Sequence, residues 1–204
     1  MQKILITAFE PFGGESINPA LVAVSQLPDS IDGCKILKLE LPTVYGQSAD
    51  ILRKVLKKER PSAVISVGQA GGDACISIER VAVNLDDASA PDNNGVIRED
   101  SPIEPAGPAA YFATLPVKSI VAALRDAGIP AAVSDSAGTF VCNHVMYSAL
   151  HYGASHDPQL LAGFVHIPFL PAQAADKRPG TASMAAETVL AGLEVIVRAC
   201  LQAR

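Results

Sequence analysis

Short apolar runs alternating with amphipathic stretches constrain this chain more than any other feature. Lys3–Phe9 reads as a buried strand, with Gly13-Gly14 marking the loop after it. Asn18-Pro19 can cap a helix running to about Leu27, because Asn is a good N-cap and Pro suits the first helical position. Lys35–Leu41 alternates as a strand does, and Tyr45–Lys58 is helical, ending before Pro61. Ala63–Val67 is an apolar strand followed by the Gly68-Gln69-Ala70-Gly71-Gly72 loop, and Cys75–Leu85 reads as one further strand. Asp86–Pro108 is a long polar stretch. Val117–Asp126 is a helix closed by Gly128, Ala131–Ser134 a strand, and Phe140–Tyr152 a helix. Leu161–Ile167 is strand-like, and Ala182–Leu201 is the last helix. Strands alternating with helices require crossovers and a sheet covered on both faces. The expectation is an α/β fold: a single-domain α/β/α sandwich over residues 1–204 with a mixed, mostly parallel central sheet.

Composition removes several function classes. With 49% hydrophobic and 18% charged residues the chain is neither disordered nor fibrous. A net charge of -5, with no basic cluster longer than Lys57-Lys58, offers no footprint for nucleic acid or an anionic membrane. No apolar run approaches the roughly 18 residues needed to cross a bilayer. The first residues lack the long apolar region and cleavage site of a signal peptide, so the expected compartment is the cytoplasm. Cys34, Cys75, Cys142 and Cys200 form no Cys-x-x-Cys pair, and in that reducing setting they read as free thiols.

Three residues carry candidate chemistry. With Thr139 as N-cap, Cys142 falls at the third position of a helix, where the dipole and free N–H groups favour a thiolate. The same N–H groups can receive an oxyanion. The alternative is a buried structural cysteine. His166, at the end of its strand, is a core residue or the base that activates a thiol on the same sheet edge. Glu79, in an extended strand, shares an apolar face with Val81, Val83 and Leu85. A carboxylate there needs a partner, either an imidazole that it orients or an arginine. His144, His151 and His156 have no third ligand at metal-like spacing, so no metal is expected. The Gly68–Gly72 loop lacks the spacing and the lysine of a phosphate-binding loop.

The chain closely resembles the pyroglutamyl peptidase I family. The resemblance runs through Thr7-Ala8-Phe9-Glu10-Pro11-Phe12-Gly13-Gly14, through Gly68 to Asn84 around Glu79, through Val133 to Asn143 around Cys142, and through Val165-His166-Ile167-Pro168. It implies a Glu79, Cys142, His166 triad, hydrolysis after an N-terminal L-pyroglutamyl residue, no cofactor, and homo-oligomers, commonly tetramers. It also implies pocket walls from Phe9, Phe12, Phe140 and Val141, with the backbone near Gln69 meeting the lactam amide. Plain core packing is the alternative for the phenylalanines. The family's usual Arg-Ile is Ser89-Ala90 here, which implies a changed rate or specificity. Two rival readings are an inactive homologue that binds pyroglutamyl-like ligands and a Cys-His-Glu amidase of other specificity. The amidase is disfavoured because Cys142 lacks a Gly-x-Cys-x-Gly elbow.

Overall fold

β1 (Lys3–Phe9) sends Ile4, Ile6 and Ala8 into one buried layer and Leu5 and Phe9 into another, so its period-two pattern is that of a central strand covered on both faces. The computed structural model describes residues 2–203; Met1 and Arg204, the ends of the expected domain span, lie outside the described residues. After β1 come α1 (Pro19–Gln26), β2 (Ser30–Ile31), β3 (Cys34–Leu41), α2 (Gln47–Glu59) and β4 (Ala63–Gln69). β5 (Ile76–Glu79), β6 (Val81–Val83), β7 (Asp86–Ala88), β8 (Arg98–Ser101) and β9 (Ala110–Phe112) follow. α3 (Val117–Asp126), β10 (Ala131–Ser134), α4 (Val141–His156), β11 (Leu161–Ile167), α5 (Pro171–Ala175) and α6 (Ala186–Gln202) complete the chain.

The central sheet has the order β10-β5-β11-β4-β1-β3-β2. Its pairings are parallel except β11 with β5 and β2 with β3, so the sheet is mixed and mostly parallel, as expected. α1, α3 and α6 bury their apolar stripes on one face, and α2 and α4 on the other. Asn18 caps α1 as anticipated, its side chain accepting from the Ala20 N–H at 2.9 Å.

Four local expectations are corrected. Cys75–Leu85 is two strands: β5 belongs to the central sheet, whereas β6 pairs antiparallel with β9. Arg80 separates them, its N–H donating to Ser134 O at 2.7 Å while its carbonyl accepts from the Ala113 N–H at 2.8 Å. α4 begins at Val141, not Phe140, with Phe140 as N-cap, because the Thr139 hydroxyl donates to the Asp87 carbonyl instead of capping the helix. α2 begins at Gln47 because Gly46 takes φ +71°. α6 begins at Ala186, because the chain before it stays extended: Ser183 bridges Phe169 and the Met184 N–H donates to Phe169 O at 2.8 Å.

Candidate active site

The three predicted residues come together on the α2/α4 side of the sheet. On β11, Val165 and Ile167 enter the α1/α3/α6 layer, which sends His166 to the opposite face. On β5, Ile76 and Ile78 do the same, so Ser77 and Glu79 face α4. β5 and β11 are antiparallel with His166 opposite Ser77, which makes Glu79 the diagonal neighbour of His166. Its Oε1 lies 2.7 Å from His166 Nδ1. Both side chains are buried, Glu79 at 1% and His166 at 8% exposure. The face that Glu79 shares is therefore that of Ser77, not of Val81 and Val83, which lie in another sheet.

Cys142 sits at the second position of α4, one place earlier in the helix than expected and still within its first turn. It is half-buried, unlike the fully buried Cys34 and Cys200. Because β10 runs parallel to β5 and β5 opposes β11, the carboxyl end of β10 is not beside that of β11. The 135–140 connection brings the helix start to the ends of β4 and β11. There the absence of a side chain at Gly68 makes room: a Cβ would lie 2.8 Å from Phe164 Cζ and 3.2 Å from Cys142 Sγ. Gly68 is opposite His166 in the β4–β11 pair, so backbone, thiol and imidazole converge on one point.

Electrostatics favour a charged imidazole. Burial opposes it, but hydrogen bonds to Cys142 and Glu79, reinforced by the negative charge of each, outweigh burial and raise His166 from 6.5 to about 10. Glu79 Oε2 is buried with no partner among the described residues, so its charge is satisfied chiefly through the ring. With Nδ1 held by Glu79, Nε2 is the ring nitrogen left to exchange a proton with the thiol.

The remaining predicted residues divide. Phe12 and Phe140 are partly exposed, with ring centroids 6.2 Å apart. They line a depression of about 470 Å³ together with Ser89, Ala90, Pro91 and Thr139. Gln69 is half-buried at the end of β4. Phe9 and Val141 are both buried in the α2/α4 core, Phe9 with its ring centroid 6.1 Å from that of Phe164. A hollow of about 440 Å³ at Arg60, Pro61, Asp157 and Leu160 lies at the amino-terminal ends of β4 and β11, away from the triad.

Sequence reasoning overlooked Asn143. It is fully buried and pins β6 to α4, accepting from the Val83 N–H at 2.9 Å and donating to Val83 O at 2.9 Å and Leu85 O at 3.0 Å. A polar residue in the first turn of an apolar helix was the available signal. His144 is satisfied structurally: Nδ1 lies 2.9 Å from Asp86 Oδ2, and Nε2 accepts from the Gly46 N–H at 3.2 Å. His151 Nδ1 lies 2.9 Å from the Tyr111 hydroxyl. Among the described residues no group of three or more His, Cys, Asp or Glu could hold a metal ion.

Known proteins share this sequence pattern, and solved structures among them share the fold. A sequence profile described as pyroglutamyl peptidase matches residues 2–203. The pyrrolidone-carboxylate peptidase of Levilactobacillus brevis is 51% identical over 197 residues, covering 97% of this chain and 96% of its own. That of Escherichia fergusonii is 53% identical over 198 residues, covering 97% and 92%. Among solved structures, pyroglutamyl peptidase I from Bacillus amyloliquefaciens superposes with a TM-score of 0.94 at 42% identity, covering 98% of this chain and 94% of that one. A mutant pyrrolidone carboxyl peptidase from Pyrococcus furiosus gives 0.96 at 42% identity, with 99% of each chain covered. Near-complete coverage in sequence and in fold, with a Cys-His-Glu constellation at the end of the sheet, leads to one conclusion: the chain belongs to the pyroglutamyl peptidase family.

Proposed function

We propose that this chain is a cysteine peptidase that removes an N-terminal pyroglutamyl residue, with Cys142 as nucleophile, His166 as acid and base, and Glu79 as the group that orients His166. The buried 2.7 Å contact between Glu79 and His166, with Cys142 Sγ against Gly68, the residue opposite His166, carries this reading. Cys142 Sγ, its proton on His166, attacks the pyroglutamyl carbonyl carbon and forms a tetrahedral oxyanion. Free N–H groups in the first turn of α4 face that charge. The imidazolium passes its proton to the leaving amine as the C–N bond breaks, and a thioester remains. Water, deprotonated by His166, then attacks the thioester; free pyroglutamate leaves and the thiol is restored. Glu79 holds the ring orientation throughout and balances its charge.

The lactam has an apolar ring and an amide edge but no charged amino group. The depression between Phe12 and Phe140 suits the ring, and the β4 terminus at Gln69 can supply backbone hydrogen bonds. Ser89 leaves the rim of this depression with a hydroxyl where the family resemblance implies a cation. The same resemblance supports a cytoplasmic homo-oligomer, and Phe112, 73% exposed, is available to an interface between copies. No helix among the described residues is long and apolar enough to cross a membrane.

Release of naphthylamine from pyroglutamyl-, prolyl- and glutamyl-naphthylamide tests the specificity. Turnover confined to the pyroglutamyl substrate is expected. Equal turnover of the prolyl substrate, which has the ring but not the lactam carbonyl, would remove the assignment.

A further inference from the structure

Glu15 lies in the connection between β1 and α1, three residues after Phe12. Both of its carboxylate oxygens are engaged. Oε1 accepts from Lys177 Nζ at 2.6 Å and Oε2 from Gln173 Nε2 at 2.9 Å. Gln173 is 7% exposed, and its Nε2 also donates to Gln69 Oε1 at 2.9 Å and to Ile17 O at 3.4 Å. Its Oε1 accepts from the Leu170 N–H at 3.1 Å, so turning the amide over would break every one of these bonds.

A second grip starts from Lys177. Its ammonium lies 4.5 Å from the centroid of the Phe169 ring, within cation–π range. That ring in turn rests on Gly71, where a Cβ would collide with it. Gln69 ends β4 and Gly71 lies in the loop that follows it, both directly after Gly68, the residue against Cys142 Sγ. The Gln69–Gly71 segment is thus held twice, by Gln173 at the Gln69 side chain and by Phe169 at the Gly71 backbone, and both holds lead back to the Glu15 carboxylate. The hydrogen bonds from Lys177 and then Gln173 keep that carboxyl below its ordinary pKa, so the clasp is charged at neutral pH.

We infer that Glu15 is a positioning residue for the substrate pocket: its carboxylate fastens the Phe12 loop, the Gln69–Gly71 segment and the 169–177 segment into one wall, which presets the geometry that receives the pyroglutamyl ring. Glu15 touches no reacting atom and acts through Gln173 and Lys177. The inference rests on the reading that Phe12 and Gln69 face the substrate.

Steady-state kinetics of the full chain test it. Glu15→Ala should raise KM for pyroglutamyl-naphthylamide about tenfold and change kcat less than about threefold, since the wall loosens while the triad stays. Glu15→Gln, which keeps an acceptor for Gln173 but loses the Lys177 charge pair, should fall between parent and Glu15→Ala. Gln173→Leu should raise KM as well, and the Glu15→Ala/Gln173→Leu double variant should be no worse than the poorer single one, because the two act as a unit. A purely structural role predicts something else: fewer active molecules lower kcat and leave KM alone. KM within twofold of the parent in both single variants, or independent additive effects in the double, would overturn the inference. Failure of the nucleophile assignment would show separately, as retained turnover in Cys142→Ser.

Discussion

Gly68→Ala is the substitution whose effect follows most directly from the geometry. The added Cβ would lie 2.8 Å from Phe164 Cζ, 2.9 Å from Phe164 Cε1 and 3.2 Å from Cys142 Sγ. Relaxed carbon contacts are about 3.5–4.0 Å, so the Phe164 ring must retreat by about 0.7–1.2 Å. It has little room to do so: Phe164 is fully buried, with Phe9 and the His166 ring beside it, the latter at a centroid distance of 4.8 Å. Overpacking of this kind costs about 1–3 kcal/mol. For a domain of this size each kcal/mol lowers Tm by about 2–4 °C. The catalytic effect should be larger than the stability effect, because thiol and imidazole must both shift, and a misplacement near 1 Å costs up to about 100-fold in rate. Thermal melts followed by circular dichroism, run beside pyroglutamyl-naphthylamide kinetics, separate the two effects. The expected result is a folded protein with a modest loss of Tm and a kcat lower by at least about tenfold. A folded Gly68→Ala protein with kcat/KM within twofold of the parent would refute the argument that close approach at Gly68 sets the site.

Two further predictions use different physics. Gly153 lies inside α4, the helix that carries Cys142, and a Cβ there would meet nothing nearer than Leu160 Cβ at 3.8 Å. Gly153→Ala should therefore stabilise the protein by about 0.5–1 kcal/mol through helix propensity and leave kcat unchanged; a lower Tm would contradict this. His166 binds its proton more tightly in the folded state, at about 10 against 6.5. Its contribution to stability is complete below pH 6.5 and is lost as pH rises through about 10. The alkaline limb of kcat/KM should fall near pH 10, and in Cys142→Ala, which lacks the thiol that helps hold the proton, the His166 ring should titrate at lower pH by NMR. An unchanged His166 titration in that variant would disprove the coupling.

The central layer was legible in the sequence because a strand covered on both faces must be apolar along its length, as in Lys3–Phe9 and Leu161–Ile167. The break between β5 and β6 was not. Ile76 and Ile78 alternate in one phase and Val81 and Val83 in the other, but a slip of one residue reads equally as a bulge within one strand, and what makes it a change of sheet is pairing with Ala110–Phe112, far along the chain. The cap of α4 was misplaced for a similar reason: Thr139 is the residue that local capping rules favour, but its hydroxyl is taken by Asp87, 52 residues away. Glu79 and His166 stood out because an ionisable residue in an apolar strand needs a partner. Core packing, the alternative open for Phe9, follows from its period-two match with Leu5. The clasp of Glu15, Gln173 and Lys177 had no local signal, because Glu15 is more than 150 residues from the other two and meets them only through the fold.

The central claim is that Cys142 is the attacking group, and Cys142→Ser tests it most directly. Serine keeps the shape of the side chain at the second position of α4 but cannot supply a thiolate. The account predicts an unchanged circular dichroism spectrum and a fall of at least about 1,000-fold in release of naphthylamine from pyroglutamyl-naphthylamide. A folded Cys142→Ser protein that turns over the substrate at the parent rate would contradict it.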